Sequence, residues 1–182
     1  IFDPRLLDTR CLANERAIEL GLGLKFLQEY DEVIEVGATM PTYFTIKHKV
    51  VDPYDAYEAS IRQDAESYDF TGQNVLSIST IEHMGRQDYS TETIPDPHKP
   101  IRFLGQLMEQ AKHFLITWPI GSNNTLDYYI EHNWNSLSFN RTLYHRICYD
   151  PAIWVKTDKK IFHEVKYNHP FPNGNCVAVL SK

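Results

Sequence analysis

The sequence predicts an α/β fold on a mostly parallel sheet, and three observations predict it. Two short β-branched runs, Val33-Ile34-Glu35-Val36 and Val50-Val51, end at Gly37 and Asp52. Runs of this length bounded by turn formers fit strands buried on both faces of a parallel sheet. Similar runs recur over 74–79 and 113–118, with connecting segments of helical or turn character. In open sheets of this class, ligands lie beyond the carboxyl ends of the strands. Gly37 leaves room for a ligand against the backbone, and Asp52 can accept both hydroxyls of a ribose. A nucleoside-bearing cofactor is therefore expected between them.

In chain order, residues 1–10 read as an irregular arm. Asp8 or Thr9 is positioned to cap a helix running to about Gln28, with Ala13, Ala17, Leu20, Leu24 and Leu27 on one face. Gly21 and Gly23 cost that helix about 1 kcal/mol each relative to alanine, or permit close approach to the sheet or the cofactor. Strands follow over 32–36 and 48–51. The intervening stretch, 37–47, holds Pro41 and is too short for a full parallel crossover, so any helix there has a turn or two. Strands over 61–63 and 74–79 are also leanly connected, giving short crossovers in the first half.

The segment 82–95 is polar and proline-bounded, hence a loop. Asp96-Pro97 reads as a helix start, with Ile101, Leu104, Met108 and Ala111 forming the apolar stripe. A fifth strand is expected over 113–118 and a short helix over 125–132. Strands over 138–148, 153–155 and 176–180 complete the chain. One domain is expected over 1–182: an arm and helix (1–30), a cofactor-binding half (31–120), and acceptor-side and closing strands (121–182).

Composition narrows the function classes. The chain has 182 residues, 42% of them hydrophobic, and a net charge of −6, which argues against a nucleic-acid surface. No apolar run approaches a membrane span, and no signal peptide is visible. Cys11, Cys148 and Cys176 form no CxxC pair, and the eight histidines show no HxH or HExxH spacing. No metal is expected, and a cytoplasmic location fits the cysteine usage.

Read together, Val33-Ile34-Glu35-Val36-Gly37, Val50-Val51-Asp52, Gln63-Asp64-Ala65 and Val75-Leu76-Ser77-Ile78-Ser79-Thr80-Ile81-Glu82-His83-Met84-Gly85 resemble the successive motifs of class I S-adenosylmethionine-dependent methyltransferases. The segment Asn14-Glu15-Arg16-Ala17-Ile18-Glu19 and the ending Pro170-Phe171-Pro172 are similar to a small, little-characterised bacterial subgroup. The resemblance implies a Rossmann-like, seven-stranded sheet, mostly parallel, with the last strand antiparallel. It places Glu35, Gly37 and Ala38 against the methionine part of the cofactor and Asp52 on the ribose. Asp64 and Ala65 would meet the adenine, and Ser79 to Glu82 would line the space between cofactor and acceptor. The chain departs from the family where Gly37 is followed by Ala38-Thr39-Met40-Pro41 instead of further glycines.

Methyl transfer to a hydroxyl needs a positioned base, and His83 is the residue suited to that role at physiological pH. Glu82 is placed to orient it or to meet the cofactor. A turn-capping role for His83 stays open. The function expected is a methyltransferase acting on a small molecule or glycan precursor, with S-adenosyl-L-methionine as cofactor. The glycine-poor loop motivates an alternative, a cofactor-binding partner subunit with altered chemistry. A nicotinamide-dependent oxidoreductase is disfavoured by the missing G-x-G-x-x-G.

Overall fold

The β-branched runs form strands where expected, in a computed structural model that describes residues 14–55, 60–89 and 94–182. The first half contains α1 (Arg16–Glu29), β1 (Val33–Val36), α2 (Thr39–Tyr43), β2 (Lys49–Val51), β3 (Ser60–Ile61) and β4 (Asn74–Ile78). The second contains α3 (Lys99–Gln110), β5 (His113–Pro119), α4 (Asn124–Asn133), β6 (Asn140–Cys148), β7 (Ile153–Thr157), α5 (Ile161–Glu164) and β8 (Cys176–Ser181). Single 3-10 turns sit at Ala65–Ser67 and Ile81–His83.

Among the described residues, eight strands join one sheet in the order β3-β2-β1-β4-β5-β8-β6-β7. The first five in that order run parallel, with Val36 beside Val51 and Ile34 beside Val75. β8 inserts antiparallel between β5 and β6. This is an α/β fold with a mixed, mostly parallel sheet, consistent with a Rossmann-like fold. It has one strand more than the resemblance implies, because β7 returns antiparallel along β6 at the edge.

Alternation along β1 sends Ile34 and Val36 to one face and Val33 to the other. The first face packs against α3 and α4 through Phe103, Leu107, Leu126 and Ile130, around Phe114 and Trp118. The second is covered by α1 and α2 through Leu20, Phe26 and Met40 against Leu76 and Ile78. Burying each such side chain stabilises the fold by about 1.5–3 kcal/mol.

Several expectations need correction. Residues 1–10, Asp8 and Thr9 as caps, Cys11 and Ala13 lie outside the described residues. Within them α1 opens at Arg16, whose N–H is accepted by Asn14 Oδ1 at 2.9 Å. Its buried face is Glu19, Leu20, Gly23 and Phe26, not the Ala17–Leu20–Leu24–Leu27 stripe. Gly21 faces open space, whereas a Cβ on Gly23 would lie 3.0 Å from Met40 Sδ, so only Gly23 serves close packing.

β3 ends at Ile61, because Arg62 and Gln63 turn away toward the Ala65–Ser67 turn. α3 begins at Lys99, with proline in its first turn, since Asp96 Oδ1 accepts the His98 N–H and holds the preceding residues in a turn. Its buried residues are Pro100, Phe103, Leu104 and Leu107, with Ile101 and Met108 only partly covered. The α5 turn had no sequence counterpart. Among the described residues, no helix is long and apolar enough to cross a membrane.

Candidate functional site

Three parallel strands deliver their carboxyl ends to one cleft. Gly37 follows β1, Asp52 follows β2, and Ser79-Thr80 follow β4. They wall a cavity of about 430 Å³ together with Arg16, Tyr54, His83 and Tyr89. A narrower extension of about 80 Å³ runs past Asp52 to Asp64, Ala65 and Lys99. The combined size suits a small-molecule ligand. A larger groove, about 790 Å³, lies at the opposite, amino-terminal ends of β1, β2 and β4, lined by Phe44, His48 and Gln73 among others. Parallel-sheet ligands favour the carboxyl end, where the glycine turn and the strand-end acids also are.

Gly37 has φ +81, and a Cβ there would stand 2.0 Å from Thr80 Oγ1. The position therefore excludes any side chain, and β1 and β4 close on each other through it. Its N–H donates to Val51 O at 3.0 Å, carrying the pairing with β2 to the cavity edge. Ala38 begins α2 and lines the same wall. Asp52 Oδ1 accepts the N–H groups of Tyr54 and Asp55 at 2.7 and 3.0 Å, which folds the loop after β2. No hydrogen bond among the described residues engages its Oδ2.

Asp64 caps the Ala65–Ser67 turn by accepting the Glu66 N–H at 3.0 Å, and its other oxygen pairs with Lys99. Ala65 is buried beside it on the cavity wall. Glu35 stands apart from this group. It is wholly buried under α2, accepting the Met40 N–H and meeting His48 Nε2, each at 2.7 Å. It fixes the start of α2 and does not wall the cavity.

The mouth of β4 is held from below. Ser79 has φ +43, a left-handed conformation that is strained for a residue with a side chain. Its Oγ donates to both oxygens of Glu19, at 2.8 and 3.0 Å. Thr117 Oγ1 donates to the same carboxylate at 2.9 Å, and Arg16 pairs with it. Burial pushes the Glu19 pKa up, and Arg16 opposes that shift. Neither Glu19 nor Arg16 was identified from sequence; the quoted Asn14–Glu19 segment marked the place without giving the chemistry.

Beyond Thr80, the turn Ile81–His83 is anchored by Asn123 Nδ2, which donates to Glu82 O at 2.9 Å. The Glu82 side chain is buried, and its Oε2 has no hydrogen-bond partner among the described residues. Burial raises its pKa well above the usual carboxylate range, and the nearby Glu19 adds to the rise. His83 lines the cavity, with Nε2 3.7 Å from Glu82 Oε1 and Nδ1 2.7 Å from Asp88 Oδ2. The first separation exceeds hydrogen-bond reach, so Glu82 does not orient the ring. Asp88, Tyr54 and Tyr89 are site residues that the sequence reading missed. They lie in polar loops without periodicity. Among the described residues, no group of three or more His, Cys, Asp or Glu side chains could hold a metal ion.

No family model matches the chain, and no curated protein matches it. Among solved structures it is similar to a chain of the Pnkp1/Rnl/Hen1 RNA repair complex, with a TM-score of 0.46 and 10% sequence identity. That match covers 93% of this chain and 42% of the other, so the present chain spans less than half of that neighbour's length.

Proposed function

We propose that the chain is an S-adenosylmethionine-dependent methyltransferase acting on a small molecule or glycan precursor. One observation carries the reading: Gly37 and Asp52, at the ends of adjacent parallel strands, wall the same cavity. The donor set fits the cofactor. Asp52 Oδ2 offers a charged acceptor for ribose hydroxyls, while Oδ1 keeps its loop in place. Ala65 supplies an apolar wall toward the adenine, with Asp64 and its Lys99 partner at the edge. When bound, S-adenosylmethionine supplies a methyl group already activated on sulfonium.

The chain's own residues then position the acceptor, and in-line positioning alone is worth roughly 7–11 kcal/mol. His83 takes the acceptor's proton on Nε2. Exposed Tyr54 and Tyr89, their rings 6.1 Å apart, offer flat apolar faces at the rim to a sugar or another small ring.

Calorimetric titration with S-adenosylmethionine, S-adenosylhomocysteine and NAD tests the proposal. Saturable binding of the first two, with NAD inert, is expected. Preferential binding of NAD, or of none of the three, would contradict it.

A further inference from the structure

We propose that Asp88 is the positioning residue for His83, fixing the ring so that Nε2 is its basic nitrogen. This rests on the reading of His83 as the acceptor's base. The distances assign the partnership. Asp88 Oδ2 lies 2.7 Å from His83 Nδ1, while the neighbouring acid, Glu82, is 3.7 Å from Nε2. A carboxylate only accepts, so the ring proton sits on Nδ1 and the lone pair on Nε2. An aspartate that holds a histidine in its working tautomer is a recurring arrangement in base catalysis.

Asp88 is itself held. Arg86 Nε lies 3.1 Å from the same Oδ2, and Arg86 donates through its terminal nitrogen to Ser122 O at 2.6 Å. The chain of contacts ties the loop after β4 to the segment between β5 and α4. Tyr89 meets the His83 ring edge-on, with centroids 5.5 Å apart, and limits its rotation about the side-chain bond. Side-chain exposures of 34% for His83 and 29% for Asp88 leave the pair open to solvent. The acceptor proton taken by Nε2 makes an imidazolium whose charge faces Asp88, and the proton then leaves to water.

The test is the tautomer of His83, read from two-bond proton–nitrogen correlation spectra of the nitrogen-15-labelled full chain at a pH where the ring is neutral. His83→Gln assigns the resonance. Wild type is expected to show a protonated Nδ1 and a bare Nε2. Asp88→Ala should move the ring toward the Nε2–H form, and Asp88→Asn, whose carbonyl accepts the same bond, should keep the wild-type pattern. An Nε2–H ring in wild type, or an unchanged Nδ1–H ring in Asp88→Ala, would overturn the proposal. The readout needs no acceptor and no cofactor. Failure of cofactor binding would therefore remove the methyltransferase reading while this result stood on its own.

Discussion

Asp52 commits one carboxylate oxygen to its own loop, and the other is the one proposed to meet the ribose, which makes a clean test possible. Oδ1 accepts two backbone N–H groups and shapes the loop carrying Tyr54. Asp52→Asn keeps a carbonyl oxygen for that task and removes the charge offered to the ribose. Affinity for S-adenosylhomocysteine should fall by about 1.5–3 kcal/mol, the range for hydrogen bonds to a charged group. Thermal unfolding should be nearly unchanged. Wild-type affinity in the variant would remove Asp52 from the cofactor site. The placement of Gly37 and Asp52 at adjacent strand ends was legible in the sequence because a glycine and an acid close two β-branched runs. Asp88 was not, since it lies in a polar loop without periodicity and meets His83 only through the turn of that loop.

At the scale of elements, α1 is docked by a polar pin as well as by apolar packing. Glu19, fully buried, joins Arg16 on its own helix to Ser79 at the end of β4 and Thr117 in β5. Removing the Glu19 carboxylate leaves the buried Ser79 and Thr117 hydroxyls without their acceptor, while Arg16 keeps Glu15 nearby, at a cost of about 1–3 kcal/mol. Glu19→Ala is expected to lose stability on that scale by denaturant unfolding, and Glu19→Gln less, because its carbonyl still accepts from Ser79 or Thr117. A loss below about 1 kcal/mol in Glu19→Ala would show that apolar contacts alone seat the helix. This pin also explains why the helix was legible but its face was not. Apolar periodicity located the Leu20 side, yet the helix presents a glutamate and Gly23 to the sheet, residues that hydropathy counts as outward. β4 and β8 had less of this conflict, since Val, Ile and Leu sit on both faces of each, whereas β1 also buries Glu35.

For the whole molecule, sheet order decides where chemistry is possible. β1 sits between β2 and β4, so Gly37, Asp52 and Thr80 converge although they are spread over more than forty residues of chain. The strands were legible in the sequence, with β3 placed one to two residues late, while the insertion of β8 between β5 and β6 comes from long-range pairing that no local pattern encodes. A nucleoside cofactor is proposed to lie at this convergence. The most direct measurement is amide NMR of the nitrogen-15-labelled chain titrated with S-adenosylhomocysteine. The account predicts saturable shifts at Gly37, Asp52, Ala65 and Thr80 together. Shifts confined to Phe44, His48 and Gln73 around the opposite groove, or no shifts at all, would contradict it.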